Sequence, residues 1–234
     1  MNILFVLAHQ DDEVAAATRI LLALREGHRV RCVFLTDGAF RVPSSVRNDE
    51  SQRALKRLGV TDVIFGSFPD GNLPEHANEA LAFLESSAGD AGEVCTLAWE
   101  GGHQDHDAAH VIALRFAQRR GVRCLEVPLY NGHQSPRSLF RVMHPVGDGW
   151  TRRRISLREG LRVIALLPVY RSQRRTWLGL LPESLLNLVI LRREYVREAD
   201  SKRLDTKPHD GLLFYERRFG YPWERFTRAI ATMR

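Results

Sequence analysis

Two short segments rich in acid and imidazole hold the residues best suited to chemistry in this chain. The first is Ala8-His9-Gln10-Asp11-Asp12-Glu13 and the second is Gly101-Gly102-His103-Gln104-Asp105-His106. Imidazole nitrogens and carboxylate oxygens are the donors a catalytic zinc takes from a protein, which leaves one position open for water. A His/Asp pair from the first segment and one further histidine from the second supply such a set. His9 and Asp12 are three apart across an expected strand-to-helix turn, so both can reach one ion. Asp11 lies between them and can take the proton of a metal-activated water. Asp11 and Asp12 equally suit capping a helix and complementing its dipole. The metal reading therefore depends on the two segments meeting.

The elements around these segments make them meet. Residues 2–8 are a continuous apolar run, as in a strand buried on both faces. A helix is expected over 12–26, with Val14, Ala17, Leu21 and Leu24 on one face and Gly27 as its stop. A strand over 29–35 follows, then a helix over 48–58 with Asn48 as N-cap and Gly59 beyond its end. Further strands are expected at 62–65, 94–98 and 123–127, with helices at 76–87 and 106–119. The alternation implies right-handed βαβ units and an α/β, Rossmann-like, mostly parallel sheet of order 3-2-1-4-5, with helices on both faces. In that order strands one and four are neighbours, and the crevice where the chain direction reverses is the ligand site of such folds. The two segments, about 90 residues apart, leave the carboxyl ends of those strands and face each other there.

Beyond residue 137 the pattern weakens into a C-terminal strand/helix extension. A strand pair is expected at 139–143 and 152–156 around Gly147 and Gly149, with helices in parts of 157–166 and 183–196 and an amphipathic helix at 222–233. With no linker and no repeat, residues 1–234 read as one domain, a core of 1–136 and a basic extension of 137–234.

Charge separates the two parts. Residues 1–136 carry 13 basic and 18 acidic side chains, and residues 137–234 carry 21 and 10. A basic second part suits either an anionic partner, such as a phosphate or a lipid headgroup, or a solvated arginine-rich surface. Tyr170–Trp177 (YRSQRRTW) either grips a phosphate or sugar ring or forms a surface helix. The three cysteines, Cys32, Cys95 and Cys124, sit in apolar strand-like stretches and read as buried thiols. The first residues lack the marks of a signal peptide, and no apolar run is long enough to span a bilayer, so a cytoplasmic location is expected.

The paired segments identify the chain as similar to the LmbE-like, or PIG-L, N-deacetylase family, whose usual patterns are A-H-P-D-D-E and H-P-D-H. Gln10 and Gln104 stand where proline is usual. Thr36-Asp37-Gly38, Arg47 with Glu50, and Asp70-Gly71 agree further, and the likeness covers roughly residues 2–130. It implies that His9, Asp12 and His106 bind the metal and that Asp11 is the general base. It implies that His103 stabilises the oxyanion or protonates the leaving amine, and that Asp105 orients His103. Arg47 and Asp70 fall where relatives contact the sugar, although Arg47 equally suits an ion pair with Glu50. Some relatives carry a tyrosine just before the second motif. Gly101 and Gly102 stand there, so a tyrosine must come from elsewhere or be absent.

The expected activity is zinc-dependent removal of an N-acyl, typically N-acetyl, group from an amino sugar or conjugate, which carries phosphate or lipid if the basic part binds it. The same donors accept Fe2+ or Co2+. No specific nucleic acid partner is expected. The rivals are a metal-dependent phosphoesterase and a non-enzymatic nucleotide or sugar binder. Neither G-x-G-x-x-G after the first strand nor a P-loop occurs, so the usual phosphate cradles are missing.

Overall fold

The computed structural model describes residues 1–135 and 140–233. The expected boundary between core and extension, and the first residue of the strand expected at 139–143, lie outside the described residues.

The core alternates as expected. It runs β1 (Asn2–Leu7), α1 (Glu13–Arg25), β2 (Arg29–Thr36), α2 (Ser44–Leu58), β3 (Asp62–Phe68), α3 (Ala77–Ser87), β4 (Glu93–Leu97), α4 (Gln104–Arg120) and β5 (Arg123–Val127). These five strands lie parallel in the order β3-β2-β1-β4-β5. β1 pairs Phe5 with Cys32 on one side and with Cys95 on the other. Central β1 and β4 are buried almost throughout, which is why they read as unbroken apolar runs. Helices cover both faces. Ile3, Phe5 and Leu7 pack one core with α1 and α2, while Leu4 and Val6 pack the other with α3 and α4. α2 begins four residues before the expected start, so Asn48 lies inside the helix rather than capping it.

After β5 the chain forms β6 (Tyr130–Asn131), β7 (Arg141–Val142), β8 (Thr151–Arg154), α5 (Leu157–Ile164), α6 (Arg174–Leu185), β9 (Arg193–Glu198), α7 (Phe214–Phe219) and α8 (Trp223–Ala229). The expected 139–143 and 152–156 pair does not form. β7 pairs with β6, and β8 pairs with β9, which itself adds antiparallel to β5. The same sheet thus continues as β5-β9-β8. Helix was expected in parts of 183–196, and it occupies 183–190, where α6 ends and a π turn follows at Leu186–Ile190; residues 193–198 are strand. A long apolar run alone does not separate helix from strand.

Buried charge ties the extension to the core. Glu126 of β5 accepts Arg197 Nε at 2.5 Å and Arg203 Nη1 at 2.9 Å, and it is fully buried. Part of the basic excess is therefore spent on core carboxylates. Among the described residues, no helix is long and apolar enough to cross a membrane.

Candidate metal centre

Both site segments leave carboxyl ends of neighbouring parallel strands, His9–Asp12 after β1 and Gly101–His106 after β4. Asp12 precedes α1 and folds its carboxylate back. Its Oδ2 accepts the backbone N–H of His9 at 2.7 Å and of Ala8 at 3.1 Å. This leaves Oδ1 facing His106 Nε2 at 3.1 Å. His106 sits in the first turn of α4, and His9 Nδ1 lies 3.1 Å from its Nε2. His9, Asp12 and His106 each aim one ligand atom into a space where those atoms lie within 4.8 Å of one another, and all three are buried.

The other nitrogen of His9 is held from behind. His9 Nε2 lies 3.0 Å from Asp105 Oδ2 and 3.2 Å from Asp70 Oδ1. Asp105, fully buried, also accepts Gly71 N–H at 2.6 Å and Leu73 N–H at 3.0 Å, which draws the loop after β3 over the site. Asp105 thus serves His9. Its Oδ2 is 4.0 Å from His103 Nδ1, and that nitrogen instead accepts Asp105's backbone N–H at 3.1 Å. His103 is the N-cap of α4. Burial, with the nearby His9 and His106, lowers its pKa to about 3 against the pull of Asp105. A neutral His103 that accepts at Nδ1 carries its proton on Nε2.

Asp11 adopts φ +128°, a region L-residues avoid. Its backbone N–H donates to Glu13 Oε2 at 2.9 Å, and its Oδ1 accepts Arg47 Nη2 at 2.9 Å. Burial pushes Asp11 up to about 7, against the opposing charge of Arg47. Arg47 of α2 is buried. It reaches the carbonyls of Gln10 and Gly38 and lies 3.8 Å from Asp70. It does not pair with Glu50, which binds Ser172 instead.

The charge balance suits a cation. Asp11, Asp12, Asp70 and Asp105 crowd one site, and Arg47 is the guanidinium that pairs with them among the described residues. Buried carboxylates need compensating charge. His9 shows the demand. Burial opposes its protonation, yet Asp70, Asp105 and Asp12 hold its pKa well above the usual value. Burial would also raise Asp12, but His106 and then His9 bring it down to about 2. A second donor group, His9, Asp70, His103 and Asp105, adjoins the first.

Sequence reasoning missed three neighbours. The Tyr130 ring stands 5.3 Å from that of His106, and Phe219 stands 4.7 Å from His103. A Cβ on Gly102 would collide with the Tyr130 carbonyl, so the glycine makes room for a tyrosine arriving from β6. The third is Tyr170, which bonds Glu13. The signal available for Gly102 was a glycine where relatives carry tyrosine. His110 bonds Leu97 O at 2.9 Å and lies 3.5 Å from Glu126, a packing role.

No curated protein sequence matches the chain. Solved structures with the same fold include the zinc-inhibited form of teicoplanin deacetylase Orf2, at TM-score 0.61 and 15% identity over 86% of this chain and 100% of that one. N,N'-diacetylchitobiose deacetylase from Pyrococcus horikoshii aligns at 0.59 and 18%, over 85% and 83%. GalB, the 4-carboxy-2-hydroxymuconate hydratase from Pseudomonas putida KT2440, aligns at 0.55 and 16%, over 85% and 96%. The family model described as "PIG-L: GlcNAc-PI de-N-acetylase" matches residues 4–117, a span that takes in both His/Asp segments. Residues 4–117 therefore form a PIG-L, LmbE-like domain, and the solved structures similar to the chain include deacetylases.

Proposed function

We propose that this chain hydrolyses the N-acetyl group of an amino sugar or sugar conjugate in the cytoplasm, with a divalent metal held by His9, Asp12 and His106. The observation that carries this reading is the convergence of those three donors beside Asp11. Two imidazoles and a carboxylate are one of the donor sets of catalytic zinc, and Fe2+ or Co2+ fit the same donors. When bound, the ion supplies Lewis acidity and lowers the pKa of water.

The chain's own residues divide the remaining work. Asp11, held by Glu13 and Arg47, takes the proton from the attacking water. His103, neutral with its proton on Nε2, donates to the developing oxyanion. Asp105 orients His9 through Nε2. Asp70 stands beside them as the sugar contact, with Arg47 behind it. Teicoplanin and diacetylchitobiose, the compounds named for two of the similar structures, support an amino sugar substrate. The hydratase of the same fold shows that the scaffold alone does not fix the reaction, so the reading rests on the site.

A phosphoester is the poorer substrate here. Its charge would meet four carboxylates, with one guanidinium already committed to them and a single divalent ion to offset the rest. Free-amine release from a panel of N-acetyl sugars, run beside phosphate release from phosphoesters, tests the proposal. Amine release that disappears with a chelator and returns with zinc is expected. Phosphate release alone would overturn it.

A further inference from the structure

Seven of the twelve exposed large apolar side chains among the described residues lie between positions 157 and 191. Leu178 is 61% and Ile190 69% exposed, and Leu161 of α5 is 50% exposed. On α6, Leu178, Pro182 and Leu185 follow at helical spacing along one outward face, while Trp177, Leu180 and Ser184 are buried on the other. Arg171, Arg174 and Arg175 continue that outward face toward the amino end and are exposed. Arg158 and Arg162 are exposed on α5. A Cβ on Gly160 would collide with the Leu188 carbonyl, so α5 and the π turn after α6 touch and their outer faces lie side by side.

The charge on this face is one-sided. None of its five arginines forms an ion pair with a carboxylate among the described residues. Its two acids are turned inward, Glu159 to Ser156 and Arg153 and Glu183 to the Val142 N–H. Arginines elsewhere in the extension, such as Arg197 and Arg203, are spent on Glu126.

We propose that this α5–α6 face docks on an anionic lipid surface, with the leucines and Ile190 entering the headgroup–acyl boundary and the arginines meeting lipid phosphates. An in-plane helix with aliphatic side chains beside unpaired arginines is the pattern of interfacial binding, and anionic headgroups supply the missing charge. A second copy of the chain fits worse, because a two-fold contact would set like arginines against each other. The face is one aromatic layer from the metal donors. Gly179 of α6 meets Phe140, whose ring is 5.9 Å from Tyr130, which packs on His106.

Sedimentation with vesicles of equimolar phosphatidylcholine and phosphatidylglycerol, against pure phosphatidylcholine, tests this without any turnover. Its outcome is therefore independent of the hydrolase reading. The chain is expected to sediment with the anionic vesicles, less at high salt, and not with the neutral ones. Arg174→Ala with Arg175→Ala should weaken binding about 30-fold. Leu178→Ser with Ile190→Ser should abolish it, and both variants should melt like the parent because these side chains are exposed. Absence of anionic-vesicle binding, binding unchanged in both variants, or a dimer in sedimentation velocity that the leucine variant dissolves would each overturn the proposal.

Discussion

The Tyr170 hydroxyl donates a 2.5 Å hydrogen bond to Glu13 Oε1 across 157 positions of sequence. The other oxygen of Glu13 accepts the backbone N–H of Asp11, so a residue of the extension holds the residue that holds the base. Asp11 keeps φ +128° against its steric preference, and such a conformation persists only where neighbours enforce it. Tyr170→Phe should lower kcat roughly 10- to 100-fold with little change in KM, because the base loses its aim while the substrate contacts stay. Loss of the Tyr170 hydrogen bond to the buried Glu13 carboxyl should cost about 1–3 kcal/mol of stability. Steady-state kinetics and melting curves check both, and a parental kcat in the phenylalanine variant would remove Tyr170 from this role.

Asp11 and His106 should separate chemistry from metal retention. Asp11→Ala is expected to keep bound metal and to lose about 10²- to 10⁴-fold in kcat. His106→Ala should lose metal as well, since only two protein donors remain. Metal analysis of both variants beside their rates reads the split, and near-normal turnover in Asp11→Ala would contradict the assigned base.

Asp105 presses on His9 rather than on His103. Asp105→Asn should therefore act first on metal affinity, weakening it about 10- to 100-fold. Competition with a zinc-binding dye measures this. A loss of rate at parental metal affinity would return Asp105 to His103.

Glu100 offers a pH test away from the metal donors. It accepts Leu129 N–H at 2.7 Å and Asn131 Nδ2 at 3.1 Å, and burial pushes its pKa from 4.5 up to about 7. A carboxyl raised in the folded state favours the protonated form. Its contribution is therefore complete below about pH 4.5 and is lost as pH rises through about 7. The full loss is on the order of 3 kcal/mol. Glu100→Gln, which does not ionise, should melt increasingly above the parent across that window and no further beyond it. Parallel melting temperatures for both proteins at every pH would contradict this.

The legibility of the sequence follows the physics of each part. β1, β2, β4 and β5 are flanked on both sides and covered on both faces, so they appear as apolar runs whose order follows from the alternation with helices. Both His/Asp segments were visible because parallel strands deliver their following loops to one edge. The extension was not legible in the same way. β7 and β8 take partners at 130–131 and 193–196, and nothing local in a short strand names a distant partner. Tyr170 lay in a segment that reads equally as a surface helix, and only folding shows it buried against Glu13 while Arg171, Arg174 and Arg175 face outward. The turn of Asp105 toward His9 depends on sub-ångström placement that spacing does not carry.

The most direct test of the account is the position of the metal. Crystals grown with zinc, measured at its absorption edge, should give an anomalous peak about 2.0–2.2 Å from His9 Nδ1, Asp12 Oδ1 and His106 Nε2. A peak bound instead by Asp70, His103 and Asp105, or none in this site, would contradict it.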